Sequence, residues 1–166
     1  MGPILSIITV CYNSVDAIEK TIISVINQEN ADYEYIVVDG SSSDGTINII
    51  NKHSNQINKF ISEKDSGIYD AMNKGIKMAT GKYLLFLNAD DILHSNKTLN
   101  KVCQFIDVDK YSCDIYYGDI ELENEQEIKD KLNWKYEYME LSKIEGKSSV
   151  SKIKQEDSVK DINDFK

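Results

Sequence analysis

Short apolar runs alternate along this chain with stretches in which apolar side chains recur every three or four positions, the rhythm of strands and helices in turn. Ile4 to Val10 is nearly all apolar and rich in β-branched residues, as a central strand is. Asp16 to Gln28 places Ile18, Ile22, Val25 and Ile26 on one helical face, with Asp16 and Glu19 spaced for a cap at its start. Tyr35 to Val38 reads as a second strand that stops at Asp39. The loop Gly40-Ser41-Ser42-Ser43-Asp44-Gly45 follows, dense in turn residues, and then a helix from Thr46 to Asn55. Lys59 to Ser62 is a short third strand. Ile68 to Ala79 reads as a helix with Ile68, Met72, Ile76 and Ala79 stacked on one side, Gly75 permitting close contact and Gly81 as its stop. Tyr83 to Leu87 is an apolar run with no turn residue, expected to be a strand buried on both faces. A helix at Lys97 to Ile106 and a fifth strand at Asp114 to Tyr117 complete the pattern.

Strand and helix in alternation imply an α/β fold: right-handed crossovers and a Rossmann-like, mostly parallel sheet with helices on both faces. The chain changes character near Glu121, beyond which Lys, Glu, Asp and Ser dominate. We therefore expect a ligand-binding domain over residues 1–120, a peripheral segment over 121–145 and a polar, flexible tail over 146–166. Trp134, Tyr136, Tyr138, Met139 and Leu141 form the one apolar cluster of that last third.

Composition narrows the class. The 166 residues suit one domain with a real core, and 41% hydrophobic with 28% charged residues is the balance of a soluble globular protein. A net charge of -9 argues against a nucleic-acid partner, which calls for a basic face. No apolar run approaches the ~18 residues of a membrane span, and the opening residues carry no basic, signal-like segment. A cytoplasmic protein is expected. Cys11, Cys103 and Cys113 are odd in number and scattered, which suits reduced thiols better than a disulfide or zinc framework. His53 and His94 read as surface residues.

The candidate chemistry sits where strands end. Thr9, Tyr12 and Asn13 lie at the end of the first strand, Asp39 at the second, Asp65 just past the third, and Asp90 with Asp91 past the fourth. In a parallel sheet these ends are neighbours on one edge, where open α/β sheets bind ligands. Adjacent carboxylates repel, so they need a cation or a role. Mg2+ or Mn2+ holding a phosphorylated ligand supplies one, and the acidic start of a helix is the alternative. Asp39 is placed to accept a hydrogen bond from a base or ribose and Tyr12 to stack on the base. Lys64 either offsets phosphate charge or is an ordinary surface lysine. Gly67 either allows close backbone approach to a ligand or simply turns the chain. No phosphate-cradling glycine loop follows the first strand, where Cys11-Tyr12-Asn13-Ser14 stands instead.

Four segments in order carry a family resemblance: Thr9-Val10-Cys11-Tyr12-Asn13, the run from Val37 to Thr46, the run from Asp65 to Ile76, and Leu87-Asn88-Ala89-Asp90-Asp91. Over Ile4 to Asp119 the chain resembles family 2 glycosyltransferases of the bacterial surface-polysaccharide type. The resemblance implies the GT-A fold, a nucleotide-diphosphate sugar donor and inverting transfer to an acceptor hydroxyl, on a saccharide or lipid-linked saccharide at the inner face of the membrane. By position, Thr9, Tyr12, Asn13 and Asp39 would hold the nucleoside, and Lys64 and Asp65 would lie near base and phosphates. Asn88-Ala89-Asp90-Asp91 takes the place of the family's metal-binding acidic motif, with Asn88 where an acid often stands, so Asp90, Asp91 or both would carry Mn2+ or Mg2+.

The chain is short for that family, whose later part supplies acceptor contacts and the catalytic base. Gln155-Glu156-Asp157 superficially resembles the family's base motif, which makes Glu156 and Asp157 the candidates for that role. A shortened chain, or one completed by a partner chain or a second copy of itself, is what the resemblance implies. The alternative is a catalytically incomplete module that binds nucleotide or a partner and transfers nothing.

Overall fold

The computed structural model describes residues 2–110 and 112–116. The chain divides into two compact units, residues 1–112 and 113–166, and every element below lies in the first. In order they are β1 (Leu5–Cys11), α1 (Ile18–Ile26), β2 (Tyr33–Asp39), α2 (Thr46–Lys52), β3 (Lys59–Ser62), α3 (Ile68–Met78), β4 (Tyr83–Phe86) and α4 (Thr98–Val108).

The described strands form one parallel sheet in the order β3-β2-β1-β4. β1 and β2 run in step for their full lengths, from Leu5 beside Tyr33 to Cys11 beside Asp39. Every residue of β1 is buried, which explains its unbroken apolar run. Alternate residues point to opposite faces. Ile8, Val10, Ile36 and Val38 meet α3 through Ala71, Met72 and Met78. The Tyr33 hydroxyl donates to the Val25 carbonyl of α1 at 2.9 Å, so α1 lies over the other face. On that face the Tyr35 hydroxyl donates to Thr9 Oγ1 at 3.1 Å, and both side chains are fully buried. The expected α/β sheet with helices on both faces is what forms.

Several local expectations are corrected. α1 starts two residues later than expected, with Ala17 at its N-cap and no side-chain cap, because the Ala17 and Ile18 amides turn back to the Ser14 carbonyl. β2 extends from Tyr33 to Asp39, and α2 ends at Lys52. α3 buries Ala71 and Gly75, while Ile68 and Ile76 stay exposed. The sheet selects the small residues because the helix lies so close to it: a Cβ at Gly75 would come within 2.5 Å of Ile8 Cγ2. Gly81 is not the stop of α3, whose C-cap is Ala79. Its bareness lets the backbone pass β1, since a Cβ there would lie 2.6 Å from the Ser6 amide nitrogen. β4 is not buried on both faces. It is an edge among the described strands, and Leu84 and Phe86 are exposed. Asp114 to Tyr116 form no strand, and Tyr117 lies outside the described residues.

A buried polar clip closes the edge of the sheet where β1 and β2 begin. Glu34 Oε1 accepts the Ser6 hydroxyl at 2.7 Å and the Thr80 hydroxyl at 2.8 Å, along with the Thr80 and Gly81 amides. Glu34 Oε2 accepts Lys59 Nζ at 2.7 Å, and Lys59 also donates to the Met78 carbonyl at 2.6 Å. One carboxylate thus ties β1, β2, β3 and the α3–β4 turn together. Burial pushes the Glu34 carboxyl up, but Lys59, Ser6 and Thr80 outweigh it and hold it down at about 2.

Two predictions follow from this packing. The depressed carboxyl of Glu34 supplies stability that is complete above the ordinary carboxyl range and is lost as pH falls through about 2. The shift corresponds to about 3 kcal/mol. Urea denaturation of Glu34→Gln should show a deficit of that order at pH 7, shrinking steadily between about pH 4.5 and 2; a deficit independent of pH would contradict the ionised clip. Gly75→Ala should lower stability by about 1–2 kcal/mol in the same assay, because overpacking against Ile8 exceeds the gain in helix propensity.

Candidate functional site

The strand order reverses beside β1. Chain order runs outward from β1 to β2 and β3, then returns to place β4 on β1's other side. Crossover loops therefore part at the carboxyl ends of β1 and β4, which opens a crevice there. The structure has a cavity of about 530 Å³ at this point. Val10, Cys11, Ala71 and Ala89 are its buried lining. Tyr12, Asn13, Ser14 and Asp16 come from the β1–α1 turn, Asp65, Gly67 and Ile68 from the approach to α3, and Asn88, Ala89 and Asp90 from the segment after β4.

Five residues expected from the sequence thus share one cleft: Tyr12, Asn13, Asp65, Asn88 and Asp90. Tyr12 is 64% exposed, an aromatic face held open to solvent. Asp65 is positioned by its own turn, where its Oδ1 accepts the Gly67 amide at 2.9 Å. Its other oxygen lies over Gly40, and a Cβ there would meet Asp65 Oδ2 at 2.5 Å and the Tyr12 ring at 3.3 Å. Tyr12 and Asp65 therefore both approach the bare backbone of Gly40.

Four expected residues do not line the cleft. Thr9 is wholly buried under Tyr35. Asp39 is wholly buried, and its carboxylate is taken up by internal donors: the Ser41 and Ser42 amides at 3.0 and 2.9 Å, the Ser62 hydroxyl at 2.6 Å, and the Ser42 hydroxyl. In this arrangement Asp39 holds the serine loop. Lys64 is exposed, and its carbonyl accepts Lys74 Nζ at 2.8 Å. Asp91 accepts the Asn88 amide group at 3.2 Å from behind the lining. Glu156 and Asp157 lie outside the described residues, as do the segments 121–145 and 146–166.

Asp16 was read as a helix cap and instead lines the cleft. The clue to it was its place in the same turn as Tyr12 and Asn13, a few residues after a buried strand. The charged residues of the described lining are all carboxylates, Asp16, Asp65 and Asp90, with no lysine, arginine or histidine among them. Cys11 adds no nucleophile, because burial pushes its thiol well above the ordinary range and the Asp39 carboxylate adds to that.

The family model described as "Glycosyl transferase family 2" matches residues 6–156. The chain belongs to glycosyl transferase family 2. This family 2 chain is 38% identical over 122 residues to a PGL/p-HBAD biosynthesis glycosyltransferase of Mycobacterium tuberculosis, covering 72% of this chain and 47% of the relative. It is 31% identical over 130 residues to the Escherichia coli UDP-Glc:alpha-D-GlcNAc-diphosphoundecaprenol beta-1,3-glucosyltransferase WfgD, covering 78% and 50%. The chain spans about half the length of the curated relatives it matches. Among solved structures, S. aureus TarS 1-349 in complex with UDP-GlcNAc superposes with a TM-score of 0.59 at 30% identity, over 65% of this chain and 32% of that one. The mannosyltransferase PcManGT from Pyrobaculum calidifontis, solved with GDP-Man and Mn2+, shares the fold at 22% identity and a TM-score of 0.57, over 71% and 34%. The fold is that of GT-A glycosyltransferases.

The residues of this family 2 site suit a hard divalent cation. Asn88 Oδ1 is buried with no hydrogen-bond partner, while its amide group is held by Asp91, which leaves an oxygen donor unused beside Asp90. Among the described residues no three His, Cys, Asp or Glu side chains cluster closely enough to hold a metal alone.

Gly40→Ala tests how closely the two cleft walls depend on that bare backbone. Its Cβ should displace the half-exposed Asp65 and the Tyr12 ring at a stability cost of about 1 kcal/mol or less, since both can swing aside. Amide chemical shifts should move at Tyr12, Asn13 and Asp65 while the melting curve stays near that of the parent. Unmoved shifts would show that the walls stand independently.

Proposed function

We propose that the cleft binds a nucleoside diphosphate sugar and serves its transfer to an acceptor hydroxyl, with inversion, in the synthesis of a surface polysaccharide. The carrying observation is the meeting of Tyr12, Asp65 and the Asn88–Asp90 segment on one cavity where the strand order reverses. Membership of family 2 and the printed names of the relatives agree with this reading.

Tyr12 offers its ring to the base, and Asp65 accepts from base or ribose. Asn88 Oδ1, Asp90 and Asp91 are the groups that would hold Mn2+ or Mg2+. When bound, the cation supplies the positive charge that offsets the departing diphosphate. With carboxylates as the only charged groups in the described lining, the protein itself gives that end no cation. Transfer further needs a carboxylate to take the acceptor's proton, for which Glu156 and Asp157 are the sequence candidates. Attack opposite the leaving diphosphate then inverts the anomeric carbon. The acceptor is read as a saccharide or a lipid-linked saccharide, met in the cytoplasm at the inner face of the membrane, its contacts completed by a partner chain or a second copy. Among the described residues no helix is long and apolar enough to cross a membrane.

Calorimetry with UDP in the presence of MnCl2 or EDTA tests the site. Binding should require the cation, and Asp90→Ala should weaken it at least tenfold, about the effect of losing one charged ligand. Absence of metal-dependent heat with UDP and with GDP, or unchanged affinity in both Asp90→Ala and Asp91→Ala, would refute it.

A further inference from the structure

Asp39 does not reach the cleft, yet both walls beside Tyr12 lead back to it. Its buried carboxylate takes five donors: the Ser41 and Ser42 amides, the Ser42 and Ser62 hydroxyls, and the Cys11 thiol at 3.6 Å. None of the five carries a positive charge. A carboxylate suits this place because both of its oxygens only accept, and Oδ2 meets two backbone amides that can only donate.

Two chains of contact run outward from it. Ser42 Oγ, while donating to Asp39, accepts the Asn13 amide at 2.8 Å, and Asn13 Oδ1 accepts the Ser43 amide at 3.0 Å. These bonds seat Asn13 at φ 48, a left-handed turn that presents the adjacent Tyr12 to the cleft. The second chain passes through Ser62, at the end of β3, and through the Glu63 amide, which donates to the Asp39 carbonyl at 3.0 Å. Two residues later Asp65 lies over Gly40, the backbone that the Tyr12 ring also approaches.

We infer that Asp39 is a positioning residue for nucleoside recognition, acting through Ser42 on the Tyr12–Asn13 wall and through Ser62 on the Asp65 wall. The inference rests on the donor-site reading above and adds to it a residue that works without touching the ligand. It also gives the serines of the Gly40–Gly45 loop a function: they carry the geometry of a buried charge to the rim.

The test is a double-mutant cycle read in UDP affinity by calorimetry with MgCl2, alongside melting temperature. Ser42→Ala should weaken UDP about fivefold, the value of one hydrogen bond, and leave melting within a few degrees. Ser42→Thr, which keeps the hydroxyl, should restore affinity. Asp39→Asn combined with Ser42→Ala should bind no more weakly than Asp39→Asn alone, because both interrupt the same path. Should Asp39→Asn not fold, Ser62→Ala paired with Asp65→Ala reads the second path, again with losses that do not add. UDP affinity unchanged in Ser42→Ala, or losses that add in full, overturns the inference while leaving the donor site standing. A parent chain that binds no UDP overturns the donor-site reading and this inference with it.

Discussion

β1 is the constraint on which the rest of the molecule depends. Like β2 it has a parallel neighbour on each side, in its case β2 and β4, and every one of its residues is buried. Such a strand has no solvent-facing position to spend on polar chemistry, so its functional contribution is pushed past its end, into Tyr12 and Asn13. The same position makes it the seam at which crossovers part. Cleft and core are therefore two consequences of one strand lying at the centre.

Acidic residues divide into two kinds in this structure. Glu34, Asp39 and Asp44 are surrounded by donors and build architecture. Asp44 accepts the Thr46 amide and hydroxyl and the Val15 amide, and the Thr46 hydroxyl above all holds its carboxyl below the ordinary range. Asp16, Asp65 and Asp90 instead line open space. Sequence patterns do not separate the two kinds, because the distinction lies in what the neighbouring loops bring: serine and threonine hydroxyls and loose backbone amides in one case, solvent in the other.

This explains what was legible in the chain. Continuous β-branched runs announced β1 and β2, since burial on both faces leaves a compositional trace. Strand ends announced the site, because parallel order carries them to one edge whatever the helices do, and Tyr12, Asn13, Asp65, Asn88 and Asp90 arrive there together. The buried face of α3 was misread because Ile68 and Ile76 have the right spacing, while the sheet demanded the smallest residues at closest approach, Ala71 and Gly75. Thr9 and Asp39 were placed at the ligand because a polar residue at a strand end looks available. Their burial comes from Tyr35 and from the serine loop, partners 26 residues away for Thr9 and a few residues away for Asp39. The turn Gly40-Ser41-Ser42 was itself a clue, since loop amides and a hydroxyl just after an aspartate can fold back onto it.

The Glu34 clip and the cleft stand at opposite ends of the same strands. Cohesion is concentrated where the chain enters the sheet, and recognition where it leaves. Exit segments that do not feed the Asp39 network can thus vary without disturbing the Glu34 clip at the far end. A scaffold divided in this way holds its Glu34–Lys59 pair a strand's length from the rim that shapes the cleft.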